Sequence, residues 1–266
     1  MVSRDRESRG GVLITGASAG IGLELARRAA ADGWDLALTA RNLAALEVVA
    51  GDVGQKHGVR TVVVPADLAD LTGPARVQEE LHRADFAVDF LVNNAGFGTW
   101  GPFVEQSLES QLSMLQVNAV ALTELTHRFL AGMRERGRGR ILNVASTAAF
   151  QPGPDMAVYF ASKAYVLHFS EALAHELRGT GITVTTLCPG PTETEFQDRA
   201  GMTDTRVGAN PLMMDVGPVA EAGYQAAMVG RSIAVPGVAN RVGSLLPRFI
   251  PRRLVRAATA FINSPR

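Results

Sequence analysis

The chain has 266 residues, and its 26 basic and 26 acidic side chains leave no net charge at pH 7, which removes any global argument for a nucleic-acid partner. Its single cysteine, Cys188, excludes an intramolecular disulfide and fits a reducing compartment. The charged first ten residues do not resemble a signal peptide, and no apolar run approaches the roughly 20 residues of a membrane span. We therefore expect a cytoplasmic protein with one large domain.

Short apolar runs alternate with longer amphipathic ones, which indicates strands alternating with helices. The predicted strands are residues 11–15, 34–40, 59–66, 88–93, 139–145, 182–187 and 232–235. The predicted helices are residues 21–32, 42–57, 74–83, 107–136, 156–178 and 218–230, the fourth bent or broken midway. Uniformly apolar strands indicate a parallel sheet covered on both faces, and right-handed crossovers give a doubly wound α/β fold of the Rossmann type. We assign one domain, with its core at about residues 11–235.

The first predicted strand runs directly into a glycine-rich turn that contains Gly16, Gly20 and Gly22. Glycines here permit a tight turn and let a pyrophosphate approach the start of the following helix, where free N–H groups and the helix dipole favour anions. A purely structural turn is the alternative. The spacing, three residues and then one, differs from G-x-G-x-x-G and resembles that of the short-chain dehydrogenase/reductase family.

The resemblance extends to later positions and implies a dinucleotide site. Asn93-Asn94-Ala95-Gly96 resembles the motif that passes the adenine ribose, and Pro189-Gly190 begins the loop that passes the nicotinamide carboxamide. Asp67 resembles the acidic residue that binds the adenine amino group, although a plain helix N-cap explains it equally well. The implied cofactor-binding residues are Gly16, Ser18, Gly20, Ile21, Gly22, Arg41, Asp67, Leu68, Asn94, Ala95, Gly96, Tyr159, Lys163, Pro189, Gly190, Thr192 and Thr194.

The end of the second strand bears on the choice of cofactor. NAD sites usually place a carboxylate there for the ribose 2′-hydroxyl, but Thr39-Ala40-Arg41-Asn42 contains no acid, and Asp35 lies at the wrong end of the strand. Arg41 suits a 2′-phosphate through its planar guanidinium, and a solvated loop arginine is the alternative. We therefore predict NADP(H) over NAD(H).

Tyr159 and Lys163 are four residues apart near the start of a predicted helix and so share one helical face. A neighbouring ammonium is expected to lower the phenol pKa from about 10, which general acid/base chemistry requires. Ser146 ends the fifth strand, where a hydroxyl would hold a substrate oxygen. Asn118 resembles the asparagine that interrupts a helix in this family and holds a water beside the lysine.

Together, Asn118, Ser146, Tyr159 and Lys163 resemble the catalytic tetrad of the family in order and spacing. The resemblance implies hydride transfer between a nicotinamide and a carbonyl carbon, with Tyr159 as proton donor and acceptor. A 3-oxoacyl-carrier-protein reductase is the alternative activity, and the long tail argues against it. A non-catalytic nucleotide-sensing protein is the alternative from another class, against which the intact tetrad stands.

Residues 191–217 correspond to the variable substrate lid of the family. Bulky apolar residues in and around the lid suggest an apolar substrate, although ordinary packing explains them as well. They are Phe97, Trp100, Phe103, Phe150, Met156, Phe196, Met202, Leu212, Met213 and Met214. The five histidines form no tight cluster, so no metal is expected, and Cys188 is expected to be a buried apolar residue.

The C-terminal extension, residues 238–266, combines apolar pairs with arginines. We expect it to pack over the substrate pocket or against a second subunit. Peripheral contact with a membrane is the less favoured alternative. The family resemblance also implies a homodimer or homotetramer built through residues 107–136 and 156–178.

Overall fold

The structure, a computed structural model, describes residues 9–208 and 213–265. Within these residues seven strands form one sheet in the order β3-β2-β1-β4-β5-β6-β7, and every pairing is parallel. The strands are β1 Gly11–Thr15, β2 Asp35–Ala40, β3 Thr61–Pro65, β4 Val88–Asn93, β5 Gly139–Val144, β6 Ile182–Leu187 and β7 Ile233–Ala234. The predicted doubly wound α/β fold is confirmed. Its strand order reverses between β1 and β4, where such sheets open a ligand crevice.

The helices cover both faces of the sheet and also make up the tail. They are α1 Gly20–Ala31, α2 Leu43–His57, α3 Gly73–Arg83, α4 Leu108–Leu115, α5 Leu122–Arg136, α6 Ala157–Glu176, α7 Phe196–Ala200, α8 Val216–Met228, α9 Val238–Leu245 and α10 Arg252–Asn263. A π-helical turn, Gln116–Ala121, separates α4 from α5 and accounts for the predicted break in the long helix. Among the described residues no helix is both long and apolar enough to cross a bilayer.

Local sequence rules explain several helix ends. The Asn42 side chain caps α2 by accepting a hydrogen bond from the Ala45 amide at 3.1 Å, and α2 ends at Gly58 in the left-handed conformation. The N-cap interpretation of Asp67 is wrong, because the N-cap position of α3 is Thr72, whose side chain makes no capping hydrogen bond. Asp67 instead accepts a hydrogen bond from the amide of Ala69 at 2.9 Å, within a turn that follows β3.

Side chains from β1 alternate between two apolar cores. Val12 and Ile14 pack on one face of the sheet, and Leu13 packs on the other, all completely buried. Burying a side chain of this size stabilises the fold by about 1.5–3 kcal/mol, so a shift of one residue in register would be strongly unfavourable. The end of β1, and with it the glycine-rich turn, is therefore held firmly in place.

Candidate active site

A cavity of about 1090 Å³ lies along the carboxyl edge of the sheet. Residues that follow β1, β2, β3, β4, β5 and β6 line it, and α6, α7 and α10 close its far side. The cavity therefore opens at the reversal of strand order and continues toward the tail. Within residues 9–208 and 213–265, no group of three or more His, Cys, Asp or Glu side chains is arranged to hold a metal ion.

The structure brings the sequence-predicted cofactor residues together along this cavity. Every one of them except Gly22 lines it. Gly22 lies just behind the turn, where an added Cβ would be 2.2 Å from the Gly16 carbonyl oxygen and 2.5 Å from Asn94 Nδ2. Its glycine character is thus required for close packing of α1 against the turn.

The start of α1 offers free hydrogen-bond donors to the cavity. Its N-cap is Ala19, whose side chain cannot accept a hydrogen bond, and Gly20 and Ile21 line the cavity. Gly16 and Gly20 both have positive φ, and the Gly16 amide donates to the Thr39 carbonyl at 2.8 Å. A helix N-terminus left uncapped at the end of a tight turn fits a pyrophosphate group.

The Asn93-Asn94 pair ties β4 to its neighbours. Asn94 Nδ2 donates to the Thr15 carbonyl at 2.9 Å, and the Asn94 amide donates to Thr15 Oγ1 at 2.9 Å. Asn93 Nδ2 donates to Asn143 Oδ1 at 2.9 Å on β5. These bonds connect three strands at the point where the cavity crosses them, so the motif supports the centre of the sheet.

Tyr159 and Lys163 lie in the first turns of α6 and are both buried. Lys163 Nζ donates to the Val144 carbonyl at 2.9 Å and lies 5.8 Å from the centre of the Tyr159 ring. Burial raises the pKa of Tyr159 to about 12, although a hydrogen bond with Ser146 opposes the rise. Burial also lowers the pKa of Lys163 to about 8. The expected lowering of the phenol pKa is therefore wrong for this structure, because desolvation outweighs any effect of the amine.

Ser146 and Asn118 flank this pair in different ways. Ser146 lines the cavity at the end of β5, and its Oγ accepts a hydrogen bond from the Ala148 amide at 3.1 Å. Asn118 lies in the π-helical turn and does not line the cavity. Its Nδ2 donates to the Phe97 carbonyl at 2.9 Å and to Ser162 Oγ at 3.0 Å, so its amide links the turn to α6.

The far end of the cavity combines apolar side chains with polar ones, among them Arg199 and Arg206, and is covered by the tail. Phe196 lies 5.3 Å from Tyr159 between ring centres, and Phe97, Met156 and Met202 also line this end. The lining from α10 comprises Thr259, Phe261, Ile262 and Asn263.

Hydrogen bonds hold the tail in this position. Trp100 Nε1 donates to the Asn263 carbonyl at 2.7 Å, Asn263 Nδ2 donates to the Pro154 carbonyl at 2.8 Å, and the Val207 amide donates to the Ile262 carbonyl at 3.2 Å. The tail therefore packs over this cavity, and the expectation that the cavity is a substrate pocket stays a prediction.

Other predicted substrate-side residues lie elsewhere. Phe103 is 58% exposed in a surface turn, and Phe150 packs beneath the cavity against the cluster that includes Cys188. Met213 and Met214 contact Gln197 and Asn240 rather than the cavity. Leu212 lies outside the described residues. Long-range packing decides which apolar side chains turn inward, and the sequence pattern of a loop does not reveal it.

Several lining residues were missed by the sequence analysis. They are polar or belong to segments without a clear pattern, and include Thr39, Gln151, Gln197, Arg199, Arg206 and Thr259. Only Thr259 had a usable signal, since Val255, Thr259 and Asn263 recur every fourth residue along α10. Cys188 is fully buried, and burial raises the pKa of its thiol to about 12, which fits an inert apolar residue.

The sequence model of the short chain dehydrogenase family matches residues 11–204. This chain belongs to that family. It is 34% identical over 202 residues to the ketoacyl reductase HetN of Nostoc sp., covering 76% of this chain and 68% of the relative. It is 40% identical over 187 residues to sulfoacetaldehyde reductase 2 of Chromohalobacter salexigens, covering 70% and 73%.

Two solved structures are similar to this chain over most of its length. A short-chain dehydrogenase from Sphingobium yanoikuyae in complex with NADPH superposes with a TM-score of 0.81 and 33% identity, covering 91% of this chain and 97% of that one. The bulky-bulky ketone specific alcohol dehydrogenase from Comamonas testosteroni gives a TM-score of 0.77 and 32% identity, covering 91% and 95%. The protein is an oxidoreductase of the short-chain dehydrogenase family.

Proposed function

We propose that this protein is an NADP(H)-dependent oxidoreductase that interconverts a carbonyl and an alcohol on an apolar substrate. The observation that carries the proposal is one continuous cavity. One end of the cavity contains the uncapped start of α1 and Arg41. The other end contains Tyr159 and the side chains of Phe97, Met156, Phe196 and Met202, which form an apolar chamber. A cavity of this form suits a dinucleotide laid along the strand ends with its reactive ring beside the phenol.

Arg41 supports NADP(H) as the cofactor. Its side chain is exposed at the cavity edge, and among the described residues no carboxylate lies within 4.0 Å of it. An unpaired guanidinium at the end of β2 is suited to a 2′-phosphate. Amides at the start of α1 would hold the pyrophosphate, Asp67 the adenine, and the loop from Pro189 to Thr194 the nicotinamide carboxamide.

The chain's own residues would supply position and a proton. When bound, the nicotinamide supplies or accepts the hydride at the carbonyl carbon. Tyr159 remains protonated at neutral pH because burial raises its pKa to about 12, so it can give its proton to the carbonyl oxygen during reduction. Ser146 would orient that oxygen. Lys163, whose burial lowers its pKa to about 8, would return a proton to the phenol while Asn118 positions α6.

The apolar chamber supports a bulky or long-chain substrate. Phe97, Met156, Phe196 and Met202 line it, and a similar solved structure is specific for bulky-bulky ketones. A 3-oxoacyl thioester reductase is the second candidate, favoured by similarity to a ketoacyl reductase. The presence of Asn118, Ser146, Tyr159 and Lys163 together supports either activity over a non-catalytic nucleotide sensor.

We also propose self-association of this single domain through α4, α5 and α6. Leu108 and Leu112 on α4 and Tyr165 on α6 are exposed large side chains on these helices. Covering such side chains is a usual role of subunit contacts.

The test is NADPH oxidation with ketones and aldehydes graded by chain length and ring size, together with one 3-oxoacyl thioester. We expect turnover to rise with apolar bulk, and kcat/KM to be at least about tenfold higher with NADPH than with NADH. Arg41→Ala should remove that preference while leaving NADH activity in place, and Arg134→Ala serves as the exposed control. Tighter binding of NADH, or no turnover of any carbonyl, would refute the proposal.

A further inference from the structure

The two tail helices expose large apolar side chains, whereas most of their buried residues are polar. On α10 the buried positions are Val255, Thr259 and Asn263. Leu254 and Phe261, seven residues apart and therefore on one face, are 54% and 62% exposed, and Phe261 also borders the cavity. A surface helix usually shows the opposite arrangement, so the outer face of α10 is suited to a contact beyond the domain.

The preceding helix and turn repeat this arrangement. Ser244 is the buried residue of α9, whereas large apolar residues at helical spacing are exposed. These are Val238, Val242, Leu245, Leu246 and Phe249, the last of them 83% exposed. The C-terminal segment, residues 238–263, thus carries an apolar surface along most of its length.

The same segment is strongly basic. Residues 238–263 contain five arginines and no acidic residue, although the whole chain has no net charge. Among the described residues, no carboxylate lies within 4.0 Å of the segment's guanidinium groups. The arginines concerned are Arg241, Arg248, Arg252, Arg253 and Arg256. Their charge is therefore available to an external anionic partner.

We propose that the C-terminal segment docks this protein on the surface of an anionic lipid bilayer. Its exposed apolar side chains would enter the headgroup region while the arginines bind lipid phosphates. The inference goes beyond the proposed function and does not depend on it. It also agrees with the packing of α10 over the cavity, because Thr259 and Asn263 line the cavity while Leu254 does not and is exposed.

Charge and composition favour lipid over other occupants. A twofold contact between two copies of this surface would place arginines against arginines. A nucleic acid would pair with the arginines but would leave Phe249 and Leu246 exposed to water. An anionic bilayer meets both requirements, since it presents phosphates above an apolar interior.

The experiment is sedimentation of the full chain with vesicles of phosphatidylcholine alone or with about 30% phosphatidylglycerol, at low and high salt. We expect co-sedimentation with the anionic vesicles, weaker binding at high salt, and little binding to phosphatidylcholine. Absence of binding to the anionic vesicles, or equal binding to both kinds, would overturn the proposal.

Variants assign the contact to the segment. Neutralising Arg252, Arg253 and Arg256 together (R252Q/R253Q/R256Q) should lower partitioning about a hundredfold, at about fivefold per arginine. Phe249→Ser should lower it about tenfold. The matched controls are R134Q/R178Q and Leu71→Ser, which alter exposed residues elsewhere and should bind as the parent does.

Thermal unfolding checks that each variant is folded. Variants that bind vesicles like the parent would overturn the proposal. It would also fall if the variants changed only the mass measured by sedimentation velocity, which would identify the surface as a contact between copies.

Discussion

The two ends of the cavity are built in different ways. At the dinucleotide end, strand ends and a glycine turn are tied by main-chain bonds and by Asn94, which joins β4 to Thr15 and Gly16. At the substrate end, a helix from the tail is held over the opening by a few bonds to Trp100, Pro154 and Val207.

This difference in construction predicts which property a substitution at each end of the cavity will change. At the dinucleotide end, a larger residue in place of Gly16 or Gly22 would have almost no room, because backbone atoms lie close to these glycines. At the substrate end, α10 forms a roof over the cavity. Each hydrogen bond that holds this roof contributes only about 0.5–1.5 kcal/mol to stability. The substrate end therefore tolerates substitutions and can diverge in sequence. Substitutions at one end should therefore alter cofactor binding and stability, and those at the other should alter substrate binding alone.

The largest effect is expected where the two ends meet. Tyr159→Phe removes the proton donor but no apolar packing, so kcat should fall about a thousandfold while NADPH affinity stays unchanged. Steady-state kinetics and a fluorescence titration measure the two quantities. Tyr165→Phe, outside the cavity, is the control. Substantial remaining turnover would exclude Tyr159 as the general acid.

The next effect tests the close packing of the dinucleotide end. Gly22→Ala places a Cβ 2.2 Å from the Gly16 carbonyl oxygen, so we expect a loss of about 1–3 kcal/mol in unfolding free energy and at least about tenfold weaker NADPH binding. Gly51→Ala is a matched control on α2, with nothing within 4 Å of the added atom. It should stabilise the protein by about 0.5–1 kcal/mol. Normal cofactor binding by Gly22→Ala would show that the turn can relax.

The buried amine of Lys163 predicts an unusual pH dependence of stability. Folding lowers its pKa from 10.5 to about 8, so between these values the unfolded chain binds the extra proton and unfolding becomes harder as pH rises. The difference in unfolding free energy between the parent and Lys163→Met should therefore shift in favour of the parent by about 2 kcal/mol from pH 8 to pH 10. Urea unfolding without cofactor measures it, and a difference independent of pH would contradict the assignment.

The smallest effect concerns the roof. Asn263→Ala removes the bond to the Pro154 carbonyl, and we expect KM for the carbonyl substrate to rise about three- to tenfold while NADPH affinity is unchanged. Gln225→Ala removes a surface bond on α8 and is the control. Weakened NADPH binding in Asn263→Ala would mean that the two ends are coupled rather than separate.

Sequence rules predicted the local structure of the glycine-rich end of the cavity well, because the rules that apply there are local. The glycine turn, the Asn42 cap and the break in the long helix all depend on residues next to one another in the chain. The end of β3 was harder to place, since its ladder with β2 runs only from Leu36 opposite Thr61 to Ala40 opposite Pro65. The length of β2 therefore limits the length of β3, and no local sequence pattern indicates that limit.

The substrate end escaped prediction because its determinants are distant in sequence. The inward face of α10 is selected by Trp100 and Pro154, more than a hundred residues away along the chain. The prediction of a lowered phenol pKa failed for a related reason. The spacing in sequence placed Lys163 near Tyr159, but burial decided the direction of the pKa shift. The four proposed catalytic residues were found by their pattern, and their roles stay a prediction.

Because α10 is near the C-terminus and forms the roof of the cavity, the two ends of the cavity can form at different times during synthesis. A chain leaves the ribosome from its N-terminus, so the strand ends and the loop through Thr194 emerge well before α10. The groove for the dinucleotide can therefore form while the roof residues are still being added. Because a ligand that binds only the folded form stabilises it, the cofactor would hold the nascent domain before any chamber for the carbonyl exists.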